Sequence, residues 1–386
     1  MHKRLLASLI VGLTLFSVPA CAQRTAVGAP AGASSATSRP LAPIASETFA
    51  GLVNSLSEPG GYFDTDNLIS NESSYLHVMG ALDALGVRGG AYIGVGPDQS
   101  FSYIARTRAE LAFLVDIRRD NLLQHLLFKA LFDAARNRAE YLALWLGRPL
   151  PRDPLSWMER DIEVIVSLLD TLPATDSSRA LAREAVQSRL RGYGVALSAR
   201  DVTTIDRFHN AFITAGLALR FTSVGRPPRA YYPTLRDLLL ETDLDGTRAS
   251  YLAREADFQY VKELQRRNLI IPVVGDLGGV SAIRAVGEAV RQRGLEVTAL
   301  YASNAEDYVM RDGNFARYVQ NVQSLPLAQR GVIIRSWFGG PGTHPNSVPG
   351  YFSTQLAQTF DAFVAATSRG EPWSYRGLVS SPHLVP

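Results

Sequence analysis

Cysteine is nearly absent from this 386-residue chain, where Cys21 stands alone. With no second cysteine there is no intramolecular disulfide, and beyond Cys21 there is no thiol nucleophile and no cysteine metal site, so the fold must stand on packing. Lysine is also scarce, limited to Lys3, Lys129 and Lys262, and the 39 basic residues barely exceed the 36 acidic ones. No arginine run carries interleaved aromatics, which argues against nucleic acid as a partner. His77, His125, His209 and His344 lack i, i+4 partners, which argues against a metal site. There is no G-x-S-x-G elbow for a serine hydrolase, and His383 falls in a terminal tail.

What is present begins at the N-terminus. His2, Lys3 and Arg4 precede the apolar run Leu5 to Val18, and Ala20-Cys21-Ala22 follows. This is the three-part pattern of a bacterial secretory signal over residues 1–22, and its apolar run is too short for a convincing membrane span. Two processing readings stand. Val18-Pro19-Ala20-Cys21 reads as a lipobox, making Cys21 the lipidation site of an exported, outer membrane-anchored lipoprotein, with membrane contact only through that lipid. Alternatively Ala20-x-Ala22 is an ordinary cleavage site and a periplasmic chain starts at Gln23. Residues 23–46, rich in Ala, Gly, Ser, Thr and Pro, read as a flexible tether.

The body alternates strands and helices. Ala91 to Val95, Leu111 to Val115, Leu269 to Val274, Glu296 to Tyr301 and Gly331 to Ser336 read as buried strands, and Tyr351 to Ser368 as a closing helix. A helix is expected from Ser73 to Leu85. Between residues 137 and 247 no convincing strand occurs, and the helical patterns there (Leu155 to Leu172, Ser178 to Arg191, Asp201 to Phe221) predict an inserted cap or side wall over a ligand crevice. The pattern predicts an α/β fold with a doubly wound, mainly parallel, Rossmann-like sheet. Its core would be formed by residues 47–136 and 248–372, with 373–386 as a tail.

Ligands in such sheets bind beyond the carboxyl ends of the strands. The first strand runs into Gly94-Val95-Gly96, where glycine lets the backbone turn and approach a ligand. Asp116 follows at the end of the next strand, 20 residues after Gly96, at the spacing of a ribose-binding acid. Asp98 and Gln99 open the intervening helix and stand where two familiar glycine-loop patterns would place a further glycine. Asp276, set among glycines, suits a catalytic carboxylate or a helix cap. Ser303, Asn304 and Glu306 suit substrate contacts, or a capping box between Ser303 and Glu306. Asn71 and Glu72 suit an N-cap, or substrate contacts from a segment folded over the mouth of the site. Arg118 and Arg119 suit an anion, or pairing with nearby acids.

At AYIGVGPDQSF, FLVDIRRDN, VVGDLGG and LYASNAEDY the chain resembles a family of uncharacterised bacterial proteins with a divergent class I methyltransferase-like Rossmann core. The resemblance covers most of residues 58–340. It implies a small nucleoside-type ligand, S-adenosylmethionine, with Gly94 and Gly96 along its methionine part, Asp116 on its ribose and Asp276 facing the methyl acceptor. A catalytically inactive ligand-binding or assembly module of the cell envelope is the alternative expectation.

Overall fold

The computed structural model describes residues 40–153, 155–227, 229–369, 373–381 and 384–385. Residues 1–22, expected to be a secretory signal, with Cys21, and most of the stretch expected to be a tether, as well as His383, lie outside the described residues.

Short apolar runs seed the sheet. β1 (Ala91–Gly94), β2 (Leu111–Asp116) and β3 (Ile270–Val274) are buried along their length except at Asp116. Continuous apolar runs without alternation are what strands covered on both faces require. β4 (Val297–Ser303), β5 (Leu327–Phe338), β6 (Ser353–Thr359) and the two-residue β7 (Leu384–Val385) complete the sheet. The order is β3-β2-β1-β4-β5-β6-β7, parallel from β3 to β5 and antiparallel across β5/β6 and β6/β7. The fold is thus mixed α/β on a mainly parallel sheet. Pro272 lies within β3, which its place at the sheet edge tolerates because one side of that strand has no ladder to donate to.

Helices fill the connections. α1 (Ser46–Ser55) and α2 (Met79–Ala84) precede β1, and α3 (Gln99–Thr107) joins β1 to β2. From β2 to β3 the described chain passes through α4 (Arg119–Ala134), α5 (Arg138–Trp145), α6 (Ile162–Thr171), α7 (Asp176–Leu190), α8 (Ala199–Ala215), α9 (Leu235–Leu239) and α10 (Glu255–Arg266). α11 (Ala282–Arg291) joins β3 to β4, and α12 (Ala305–Arg311) and α13 (Phe315–Gln323) join β4 to β5. α14 (Phe360–Thr367) and α15 (Tyr375–Val379) follow β6. α7 and α8 pack on α4, which itself lies against β2 and β3. Among the described residues no helix is long and apolar enough to cross a membrane.

Two expectations fail locally. The closing helix expected over Tyr351 to Ser368 is a strand followed by a shorter helix, β6 then α14. Thr354 and Gln358 on one face of β6 and Gln355 on the other are buried, so polar residues interrupt both covered faces and the apolar period is hidden. Gln358 takes a 2.7 Å hydrogen bond from Arg335, and Ser336 bonds Gln355 at 3.1 Å, which satisfies these groups inside the sheet. The helix expected from Ser73 is only α2, because residues 73–77 form turns and the Ser74 and Ser353 hydroxyls meet at 2.7 Å.

Candidate functional site

The carboxyl ends of β1, β2, β3 and β4 open into one cleft of about 440 Å³. The order reverses between β1 and β4, where the connections leave to opposite sides and a crevice results.

At the end of β1, Gly96 has φ +79° and lines the cleft. A Cβ there would lie 3.0 Å from Gln99 Nε2, so the turn needs glycine for both space and backbone angle. Asn121 Nδ2 (3.1 Å) and His125 Nε2 (2.9 Å) donate to the Gly96 carbonyl, tying the turn to α4. Burial lowers the His125 pKa to about 4, so its ring is neutral and the proton sits on Nε2. Gly94 is not on the cleft wall. The Tyr92 phenol occupies the space a Gly94 Cβ would need, 2.4 Å from its oxygen, so Gly94 serves packing inside the sheet.

At the end of β2, Asp116 lines the cleft with its carboxylate held by Arg118. Oδ1 accepts from the Arg118 backbone N–H (2.9 Å) and Nε (3.1 Å), and Oδ2 from Nη2 (3.1 Å). Arg119 turns away to pair with Asp201. At the end of β3, Asp276 lines the wall and its Oδ1 accepts from the Gly278 N–H at 2.8 Å. The cap of α11 is Glu58, not Asp276: its carboxylate accepts from the N–H groups of Asp276 (2.9 Å), Ser281 (3.1 Å) and Ala282 (3.2 Å). Burial opposes the charge, yet these N–H groups hold Glu58 below its ordinary pKa.

The end of β4 carries the most concentrated polar network. Ser303 has φ +51°, a left-handed conformation that costs a non-glycine residue about 1–2 kcal/mol. Its hydroxyl donates to Glu72 Oε1. Tyr301 Oη (2.6 Å) and Gln355 Nε2 (2.6 Å) donate to Glu72 Oε2. Gln99 Nε2 reaches Tyr301 Oη at 3.3 Å. Glu72 is 1 % exposed and lies on the cleft wall. Burial pushes its carboxyl above the ordinary value, although the Ser303 and Tyr301 hydroxyls and the Gln355 amide pull the other way. Asn71 and Asn304 border the same corner.

Two expected site residues face elsewhere. Asp98 is buried against Tyr251, whose hydroxyl donates to Oδ2 at 3.3 Å. Glu306 is fully buried in an ion pair with Arg335, with Nη2 to Oε1 at 3.0 Å, and makes no capping box with Ser303. Both lie off the cleft wall because a helix start rotates successive side chains by about 100°, so neighbours of a lining residue point into the core.

Tyr301 and Gln355, which hold Glu72, and Glu58, which holds the Asp276 loop, support the wall from behind and were not singled out by local patterns. Tyr301 ends a strand that was expected, whereas Gln355 and Glu58 come from distant segments whose own spacing carries no signal. The loop after α8 contributes Arg226, which lines the cleft and pairs with Asp64 at 2.8 Å. α7 and α8 themselves pack on α4. Among the described residues the wall carries the carboxylates of Asp64, Glu72, Asp116, Asp276 and Asp312 against the guanidiniums of Arg226 and Arg311. That balance disfavours phosphorylated ligands and favours neutral or cationic ones. No group of acidic, histidine or cysteine side chains among the described residues could hold a metal ion.

No curated protein matches this chain. Residues 161–228, which contain α6, α7 and α8, lie between two segments that match a known family. Residues 68–160 and 229–378, more than half of the chain, match the family described as "Domain of unknown function (DUF7790)", and the chain belongs to that family.

Proposed function

We propose that this protein is a Rossmann-like, class I methyltransferase-like domain whose cleft takes S-adenosylmethionine or a close nucleoside relative. One observation carries the reading: Gly96 and Asp116, at the ends of adjacent parallel strands, line the same cleft. The positive-φ glycine gives the sharp turn that brings the chain after β1 onto the cleft wall, and the carboxylate beyond β2 suits a ribose diol. The acidic wall suits a ligand that carries positive charge and no phosphate. Ile117 and Leu277 supply apolar surface beside these groups.

When bound, S-adenosylmethionine supplies an electrophilic methyl group on a cationic sulfur. The chain's part is to orient the acceptor and take up its proton, a role that Asp276 fits by position. One observation favours a second reading, a ligand-binding or assembly module of the cell envelope without catalysis: Asp276 already uses Oδ1 to close its own loop.

The test is thermal unfolding of the purified chain with S-adenosylmethionine and S-adenosylhomocysteine. Ligand at 100 times its Kd adds about 2.7 kcal/mol, and Gly96→Val is expected to abolish that gain. Absence of any stabilisation by either compound refutes the nucleoside reading. Stabilisation without methyl transfer to any acceptor leaves the binding module.

A further inference from the structure

At the corner where Glu72 and Gln99 line the cleft, one buried acceptor, Gln99 Oε1, lacks a donor and the Glu72 carboxyl lacks a cation. The Tyr301 hydroxyl gives its one proton to Glu72 Oε2, so it accepts from Gln99 Nε2, and this fixes the Gln99 amide. Gln99 is 6 % exposed, lines the cleft, and its Oε1 has no hydrogen-bond partner. A buried amide oxygen left unmet costs about 1–3 kcal/mol, and such groups call for a partner. Glu72 receives three neutral donors, Tyr301, Ser303 and Gln355, and no cation. The two guanidiniums on the cleft wall are engaged elsewhere, Arg226 with Asp64 and Arg311 with Asp307.

A partner that donates and carries positive charge would meet Gln99 Oε1 and also give the Glu72 carboxyl a counter-charge. A carboxylate or phosphate would offer Gln99 Oε1 no donor and would face the Glu72 carboxyl. A hydroxyl would satisfy Gln99 Oε1 and leave the Glu72 charge uncompensated. A protonated primary amine does both, with three N–H groups to share between the amide oxygen and the carboxylate. We propose that Glu72 and Gln99 form an ammonium-recognition site and that the cleft's ligand bears a protonated primary amine. The inference deepens the proposed nucleoside reading. The ammonium belongs either to the amino-acid arm of an S-adenosyl compound or to a separate amine substrate.

Isothermal titration of the whole chain separates these sources. The probes are S-adenosylhomocysteine, 5′-methylthioadenosine (the nucleoside without the amino-acid arm) and 1,4-diaminobutane, against wild type, Glu72→Gln and Gln99→Leu. If the arm supplies the ammonium, S-adenosylhomocysteine binds at least tenfold tighter than 5′-methylthioadenosine, and each variant erases the difference. If a separate amine supplies it, the two nucleosides bind equally, and each variant weakens 1,4-diaminobutane at least tenfold. Gln99→Leu removes an unmet buried acceptor and is expected to fold even if Glu72→Gln does not. The proposal is overturned if neither amine-bearing probe binds, or if the folded variants hold both within twofold of wild type. Retained 5′-methylthioadenosine binding then preserves the nucleoside reading, whereas diamine binding with no nucleoside binding overturns that reading alone.

Discussion

Arg118 clasps Asp116 from the same strand end, with Nε 3.1 Å from Oδ1 and Nη2 3.1 Å from Oδ2, while Nη1 reaches the Thr65 carbonyl at 2.6 Å. The two side chains are 7 % and 10 % exposed, so the pair orients the carboxylate in a largely dry setting. Asp116→Ala is expected to weaken nucleoside binding at least tenfold. Arg118→Ala is expected to weaken it as well and to destabilise the fold by about 3–5 kcal/mol, because it leaves a largely buried carboxylate unpaired. Titration calorimetry and urea unfolding read the two effects separately. Unchanged nucleoside affinity in Asp116→Ala would remove Asp116 from the site.

Asp98 links stability to pH. Burial raises its pKa to about 7 from an ordinary value of 3.8, against the hydrogen bond from Tyr251. A raised folded-state value means that protonation favours the fold. Its contribution is complete below about pH 4 and is lost as pH rises towards 7, at about 1.4 kcal/mol per pKa unit. Glu72 is shifted in the same direction, so the comparison is between wild type and Asp98→Asn. The variant is expected to gain stability relative to wild type at pH 8 and to lose that advantage at pH 4, in urea unfolding at both values. A difference that does not vary with pH would contradict this.

The buried Glu306–Arg335 pair is structural. Both side chains are fully buried, and Arg335 Nη1 also donates to Gln358 at 2.7 Å. Glu306→Gln is expected to cost about 3–5 kcal/mol by stranding the guanidinium, with ligand affinity unchanged in the folded fraction. The double variant Glu306→Leu with Arg335→Met is expected to recover most of that loss, since neither charge is then stranded. Lost ligand affinity in folded Glu306→Gln would place Glu306 in the site after all.

Cys21 tests the lipoprotein reading. For a lipoprotein, metabolic fatty-acid labelling marks the wild-type chain and not Cys21→Ser, and mass spectrometry finds an acylated Cys21 at the mature N-terminus. An unlabelled mature chain starting at Gln23 would instead support ordinary cleavage.

The strand ends were readable because a parallel strand buried on both faces is a continuous apolar run, and the polar residue that stops it marks the cleft. Gly96, Asp116, Asp276 and Ser303 were found in that way, and all four line the cleft. β6 escaped because its buried Gln355 and Gln358 are satisfied by residues from β5 and from the segment before α2, so the apolar period that would reveal a strand is missing.

Local composition by itself determined the alternation of strands and helices, the glycine turn at Gly96 and the acid 20 residues beyond it, because backbone freedom and apolar periodicity act over a few residues. Only the tertiary structure decided that Glu72, Gln99, Tyr301, Ser303 and Gln355 share one network while Asp98 and Glu306 turn into the core. Side-chain direction at a strand end or helix start depends on register and on what packs opposite, and those partners lie up to 283 residues away along the chain.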